Sequence, residues 1–215
     1  MPFNQRAYPK SPKYRPSYQG SNPISDIWAL KALELTSKNI KKIFEDPTNL
    51  EARESMILSA SFAAIGFGNA GVHLCHGMSY PVSGMSHGLT YVPKGFPSKE
   101  PFVPHGISVI LNAPAVFRFC GEACPERALK AAEILGANIS NAKESEAGEI
   151  LANTLTKLMK EVELPNGLKE IGFKEKDIPK LVEGTLPQHR VNQLMPRKFD
   201  EKDLTNMFNE TMKLW

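Results

Sequence analysis

Between Asn49 and Ile65 the chain reads NLEARESMILSASFAAI, one helix's worth of residues that becomes apolar on nearly every side toward its end. Such a helix cannot present its whole circumference to water, so the stretch predicts a buried element with other helices around it. Just before it, Thr48-Asn49-Leu50-Glu51 has the form of a capping box, in which a Thr hydroxyl and a Glu carboxylate satisfy exposed N–H groups reciprocally. The helix runs straight into GNAGVHLCHGMSYP, residues 68–81, where two histidines stand three apart with a cysteine between them and glycines on both sides.

The surrounding sequence is helical too. SDIWALKALELTSKNIKKIF, from Ser25, has apolar residues close to helical spacing, and EDPTNL breaks it. ISVILNAPAVFRF predicts a helix with a break near Pro114. Pro125 fits the first position of PERALKAAEIL, where its missing N–H costs nothing, and Gly136 ends that helix. KESEAGEILANTLTKLMKEV is amphipathic and stops before LPNG; short pieces follow around LKEIG and KDIPKLVEG, and Asp200 caps a last helix. No run of alternating β-branched residues makes a convincing strand, so the fold class is all-α. Residues 1–24 hold five prolines, at 2, 9, 12, 16 and 23, which forbid an amphipathic targeting helix. With Tyr8, Tyr14 and Tyr18 they predict an extended segment packed on a helical domain of residues 25–215.

A net charge of +3 from scattered basic residues carries no nucleic-acid or polybasic membrane signal, and no apolar run approaches a bilayer span. Three cysteines, at 75, 120 and 124, do not make a secreted disulfide framework and favour a reducing compartment. Cys120 and Cys124 lack further cysteines nearby to complete a four-ligand site, so they read as two thiols near a helix start.

On a continuous helix His73 and His76 would share a face, with Tyr80 one turn beyond His76. His105, between Pro104 and Gly106 at the mouth of a helix, is a third imidazole on a rigid mount. Neutral imidazoles so placed suit a divalent metal, or they are hydrogen-bonded core residues; two or three of them without a carboxylate leave both readings open. His87 in the Gly/Pro/Ser-rich stretch 83–103 and His189 in TLPQHR read as non-ligands.

GFGNAGVHLCHGMSYPVSG followed by VPHGISVILNAPAVFRF resembles the signature of the iron-containing (group III) alcohol dehydrogenases. PERALKAAEILGA, DIPKLVEGTLPQHR, MKLW and the opening NQRAYPKSPKYRPSYQGSNPISDIWAL resemble that family's mitochondrial hydroxyacid-oxoacid transhydrogenase branch in particular. The resemblance implies that His76 and His105 are the two downstream ligands of a divalent metal, iron or zinc. It implies that Phe67 lines the pocket beside nicotinamide and substrate. Tyr80 stands where other members carry a histidine near the nicotinamide, which puts a proton-relay role in doubt and leaves it a weak catalytic candidate. His73 and Cys75 match no ligand and read as packing.

The family fold joins an N-terminal α/β domain that holds NAD to a C-terminal helical domain, and its first two metal ligands lie on a D-x-x-x-H helix. Neither that helix nor a strand, Gly-rich turn and helix unit stands in this sequence. The chain therefore resembles the C-terminal helical half, without the nucleotide-binding domain. The implied activity is transfer of hydride from 4-hydroxybutyrate to 2-oxoglutarate, giving succinate semialdehyde and 2-hydroxyglutarate, with this chain inactive alone. The implied partner is the N-terminal half or an intact subunit, and the implied compartment is the mitochondrion, though no targeting segment stands in the chain. Two alternatives are a non-catalytic helical module or truncated isoform that associates with the intact enzyme, and a simple metal-binding helical protein.

Overall fold

A computed structural model describes residues 9–85, 89–97 and 100–215. Asn22 opens the first helix, α1 (Pro23–Glu45), its side-chain oxygen accepting from the Ser25 N–H at 3.0 Å while Pro23 fills the first helical position. The chain reverses and α2 (Leu50–Ala70) runs back along α1. The cap of α2 is Asn49, which accepts from the Ala52 N–H at 3.0 Å; the Thr48 hydroxyl donates to Asp46 instead, so the expected Thr/Glu capping box does not form.

The α1–α2 seam is built from small residues. Ser25, Ala32 and Asn39 on α1 and Ala52, Ser59 and Gly66 on α2 recur every seventh position and are the buried residues of the two helices. The Ser59 hydroxyl donates to the Ala32 carbonyl at 2.7 Å, and a Cβ on Gly66 would stand 3.1–3.3 Å from the Ala29 backbone nitrogen, the Ser25 carbonyl oxygen and the Ala29 methyl. Small seam residues bring the helix axes close, which leaves the large apolar side chains outside. Ile27, Ile57 and Leu50 are 67%, 68% and 80% exposed, and Ile24, Leu30, Leu58 and Ile65 are exposed as well. The sequence predicts a buried α2; the structure corrects this, because only the seam stripe is covered.

The buried helix is the next one. α2 ends at Gly71, whose φ of 82° lies in the left-handed region, and the chain bends by 107° into α3 (Leu74–Gly84). Residues 68–81 thus belong to two helices with a break, not one. Leu74, Met78 and Val82 of α3 are fully buried. Against α3 pack α4 (His105–Ile110), α5 (Ala113–Cys120), α8 (Ile178–Thr185) and α9 (His189–Asn192); α7 (Ala147–Glu161) packs on α5 and α6 (Pro125–Ile134), and α10 (Glu201–Thr211) on α8 and α5. The break between α4 and α5, Pro125 at the start of α6 and the Asp200 cap of α10 agree with the sequence reading. Among the described residues there is no strand, and the main apolar cluster draws no residue from α1 or α2. No single described helix is long and apolar enough to cross a membrane; α2 and α3 pass that test only together, across their bend.

The hairpin is attached to this body mainly through α1 against α6. Arg127 of α6 grips Asp26 of α1 with both guanidinium nitrogens, at 2.9 and 2.6 Å, and the Ser37 hydroxyl donates to the Ile134 carbonyl. The segment before α1 returns to the end of α2, where the Gln19 and Gly20 N–H groups donate to the Asn69 and Ala70 carbonyls. Within the body, α5 and α7 touch backbone to backbone: a Cβ on Gly121 would lie 2.2 Å from the Gly148 Cα, and one on Gly148 would lie 2.8 Å from the Arg118 and Phe117 carbonyl oxygens.

Two glycine substitutions separate close packing from helix propensity. Gly121→Ala is expected to lose about 3 kcal/mol in urea unfolding, since backbone must move to admit the methyl. Gly68→Ala, at an exposed position of α2 with nothing within 4 Å of the new Cβ, is expected to gain about 0.5–1 kcal/mol.

Candidate metal centre

His76 stands in the first turns of the buried helix α3, and His105 is the first residue of α4, which packs against α3. Their imidazole rings lie 5.2 Å apart between centroids, tilted by 59°. Serines brace the backbone of each histidine. The Ser79 hydroxyl donates to the His76 carbonyl at 2.8 Å and the Ser108 hydroxyl to the His105 carbonyl at 2.8 Å, while Ser83 donates to Ser108 across the two helices at 2.9 Å. Ser79 and Ser108 are fully buried. The same H-x-x-S spacing stands after each histidine, a signal in the sequence that its reading passed over.

Gly77, next to His76, is required by packing. A Cβ there would stand 2.2 Å from the Asn192 side-chain oxygen, and Asn192 is held by donating to the Thr185 carbonyl at 2.7 Å. Burial, and secondarily the neighbouring His105, push the His76 imidazole down to about 4. It is therefore neutral near pH 7, with a lone pair available to a cation. His105 is exposed. Among the described residues no group of three or more His, Cys, Asp or Glu side chains is disposed to hold a metal ion. The pair fits a divalent cation as two imidazole nitrogen donors and supplies no anionic ligand.

The other candidates are placed elsewhere. His73 is the residue before α3 begins, so it does not share a helical face with His76. Its ring meets Phe117 edge-on at 5.7 Å, its Nδ1 is buried without a hydrogen-bond partner, and burial pushes its imidazole down to about 4. Phe67 lies near the end of α2, 47% exposed, on a cleft of about 660 Å³ shared with His73, Phe117 and Arg127. His76 and His105 do not line that cleft. Tyr80 is half-buried one turn beyond His76. The Cys75 thiol is buried and pushed up to about 12, which makes it inert packing. His189 is exposed at the start of α9, and His87 lies outside the described residues.

Similar proteins agree with the fold. The model of the "Fe-containing alcohol dehydrogenase family, C-terminal" matches residues 17–212. The chain is 52% identical over its full length to a probable hydroxyacid-oxoacid transhydrogenase, mitochondrial, of Dictyostelium discoideum, covering 39% of that protein. It is also 52% identical over its full length to the hydroxyacid-oxoacid transhydrogenase, mitochondrial, of Xenopus tropicalis, covering 46% of it. The chain thus spans less than half the length of the curated relatives it matches. Among solved structures, a 1,3-propanediol oxidoreductase aligns with a TM-score of 0.77 at 27% identity, over 89% of this chain and 46% of that one.

The buried imidazoles make stability depend on pH with a definite sign. Their folded values lie below the ordinary value of 6.5, so the unfolded chain takes up protons first as pH falls. The stability they contribute is present above about pH 6.5 and is lost as pH falls toward 4. At pH 5, where most carboxylates are still ionised, unfolding is expected to be easier than at pH 7 by about 1–2 kcal/mol, mostly through His73. Urea curves of His73→Asn at the two pH values should show a smaller difference.

Proposed function

From the premise that this chain belongs to the iron-containing alcohol dehydrogenase family, as its C-terminal helical part, we propose that it is the metal-binding half of a hydroxyacid-oxoacid transhydrogenase. The observation that carries the reading is the His76–His105 pair, two imidazoles brought together by the packing of α3 against α4. In this reading the two histidines are the downstream ligands of a divalent metal, iron or zinc, and the remaining ligands come from a segment outside these 215 residues. When bound, the metal polarises the substrate oxygen as a Lewis acid while NAD carries the hydride between a hydroxy acid such as 4-hydroxybutyrate and an oxo acid such as 2-oxoglutarate.

The chain's own residues bind and orient. His76 presents an unprotonated nitrogen at neutral pH without needing a base to free it. His105 opens toward solvent, on the side from which small acids would arrive. Phe67 supplies an apolar wall for the nicotinamide, and Tyr80 lies one turn from His76 as a pocket residue. The exposed apolar faces of α1 and α2 supply the surface on which the NAD-binding half or an intact subunit docks, since Ile27, Leu50 and Ile57 stand two-thirds or more in water. The names of the relatives point to the mitochondrion as the compartment.

Zinc binding by the purified chain tests the ligand pair. Two neutral donors are expected to hold the ion weakly enough for a mild chelator to remove it, and His76→Ala and His105→Ala are each expected to weaken it by roughly ten-fold or more. Equal affinity in both variants and the parent would sink the assignment. The chain alone is expected to give no steady conversion of 4-hydroxybutyrate and 2-oxoglutarate with NAD; sustained turnover would show that the site is complete without a partner. A second reading, a non-catalytic module that associates with the intact enzyme, is favoured by the same exposed hairpin. It predicts capture of intact transhydrogenase that Ile57→Glu abolishes.

A further inference from the structure

We propose that Cys120 and Cys124 form a dithiol site that reduces a hydroperoxide and closes to an intrachain disulfide. Neither residue belongs to the metal-centre reading, and the site needs neither metal nor NAD.

The geometry comes from the turn between α5 and α6. Cys120 ends α5 and Cys124 is the residue before α6, with a single 3-10 turn, Gly121–Ala123, between them. That turn folds Cys124 back: its N–H donates to the Gly121 carbonyl at 3.1 Å, and its thiol lies 3.7 Å from the Cys120 carbonyl oxygen. The two thiols are hydrogen-bonded to each other across this turn, so the sulfurs already lie in contact, the approach that a disulfide requires. The turn cannot drift, because Gly121 is seated against the Gly148 backbone. Both thiols line a cavity of about 380 Å³ between α1 and the α5–α7 helices, wide enough for a small peroxide.

The two sulfurs are chemically unequal, which is what a nucleophile and a resolving thiol need. Cys120 is 2% exposed, and its thiol is pushed up by the hydrogen bond with Cys124 and by burial. Cys124 is half-buried, and its thiol is pulled down to about 7, first by the hydrogen bond with Cys120 and further by the Arg127 guanidinium. The Cys124 thiolate attacks one oxygen of hydrogen peroxide; the O–O bond breaks, hydroxide leaves, and a sulfenic acid forms. Cys120 then attacks that sulfur, the S–S bond forms, and the sulfenic oxygen leaves as water with the Cys120 proton. Two thiols lose two electrons and two protons in all, and the peroxide becomes two waters.

Tryptic mapping tests this on the whole 215-residue chain, since cleavage after Arg118 and Arg127 places both thiols in one peptide, residues 119–127, away from Cys75. After stoichiometric peroxide at pH 7, that peptide is expected to lose two hydrogens and resist alkylation, while Cys75 stays alkylatable. The folded chain should react about ten-fold faster than the chain in urea, since a thiol near 7 is far more ionised at pH 7 than an ordinary one. In Cys120→Ser a sulfenic acid at Cys124 should persist and be trapped by dimedone. Equal rates in folded and unfolded chain, first oxidation at Cys75, or over-oxidation of Cys124 with no link to Cys120 in the parent chain would each overturn the proposal.

Discussion

The turn at Gly71 divides this molecule. Its left-handed φ of 82° sends the chain out of an apolar hairpin that makes little core and into α3, whose Leu74, Met78 and Val82 are fully buried in the main apolar cluster. The position is closed to any side chain: a Cβ there would fall 2.4 Å from the Tyr18 ring and 2.6 Å from Leu194. The Pro-rich segment and the stretch after α9 therefore converge on the same glycine. Both histidines of the candidate centre lie downstream of that turn, since α3 carries His76 and supplies the surface against which α4 brings His105.

Much of this was legible in the sequence, and the misses have physical causes. The all-α class, the Pro125 start, the break before Pro114 and the Asp200 cap follow from local rules, because proline geometry and a capping side chain act within a turn. The H-G-M and P-H-G motifs carried the family. What failed was placement by periodicity across 68–81, where Gly71 was legible as a poor helix former but not as a 107° bend. Burial of α2 failed for a related reason. A helix apolar all round must be covered by something, but its sequence does not say that the covering must come from these residues. The serine relay was missed because serine carries no metal signal, although its spacing after both histidines is regular.

The candidate centre is unusual in its charge balance. A divalent ion held by two imidazoles keeps its full charge, and buried charge without a counter-charge is costly. His76 tolerates its site because it is neutral, and the burial that keeps it neutral also deprives it of an anionic neighbour. The described residues offer no third donor. The pair is thus pre-organised by its serine backing and electrostatically incomplete, which is the state expected of part of a site shared between segments.

The hairpin presents the same incompleteness in apolar terms. A seam of Ser, Ala, Asn and Gly joins α1 to α2 closely but buries little apolar surface, while the large side chains that would anchor a core face outward. A fully covered isoleucine is worth about 1.5–3 kcal/mol relative to an exposed one. Ile24, Ile27, Ile57 and Ile65 together therefore hold several kcal/mol of unrealised burial. The Arg127–Asp26 pair that ties the hairpin to the body is partly exposed and too weak to replace it. A partner that covers this face would stabilise the hairpin's position as well as bind to it. Since Phe67 rides on α2 while His76 rides on α3, a partner that held the hairpin in place would also hold Phe67 relative to the imidazole pair.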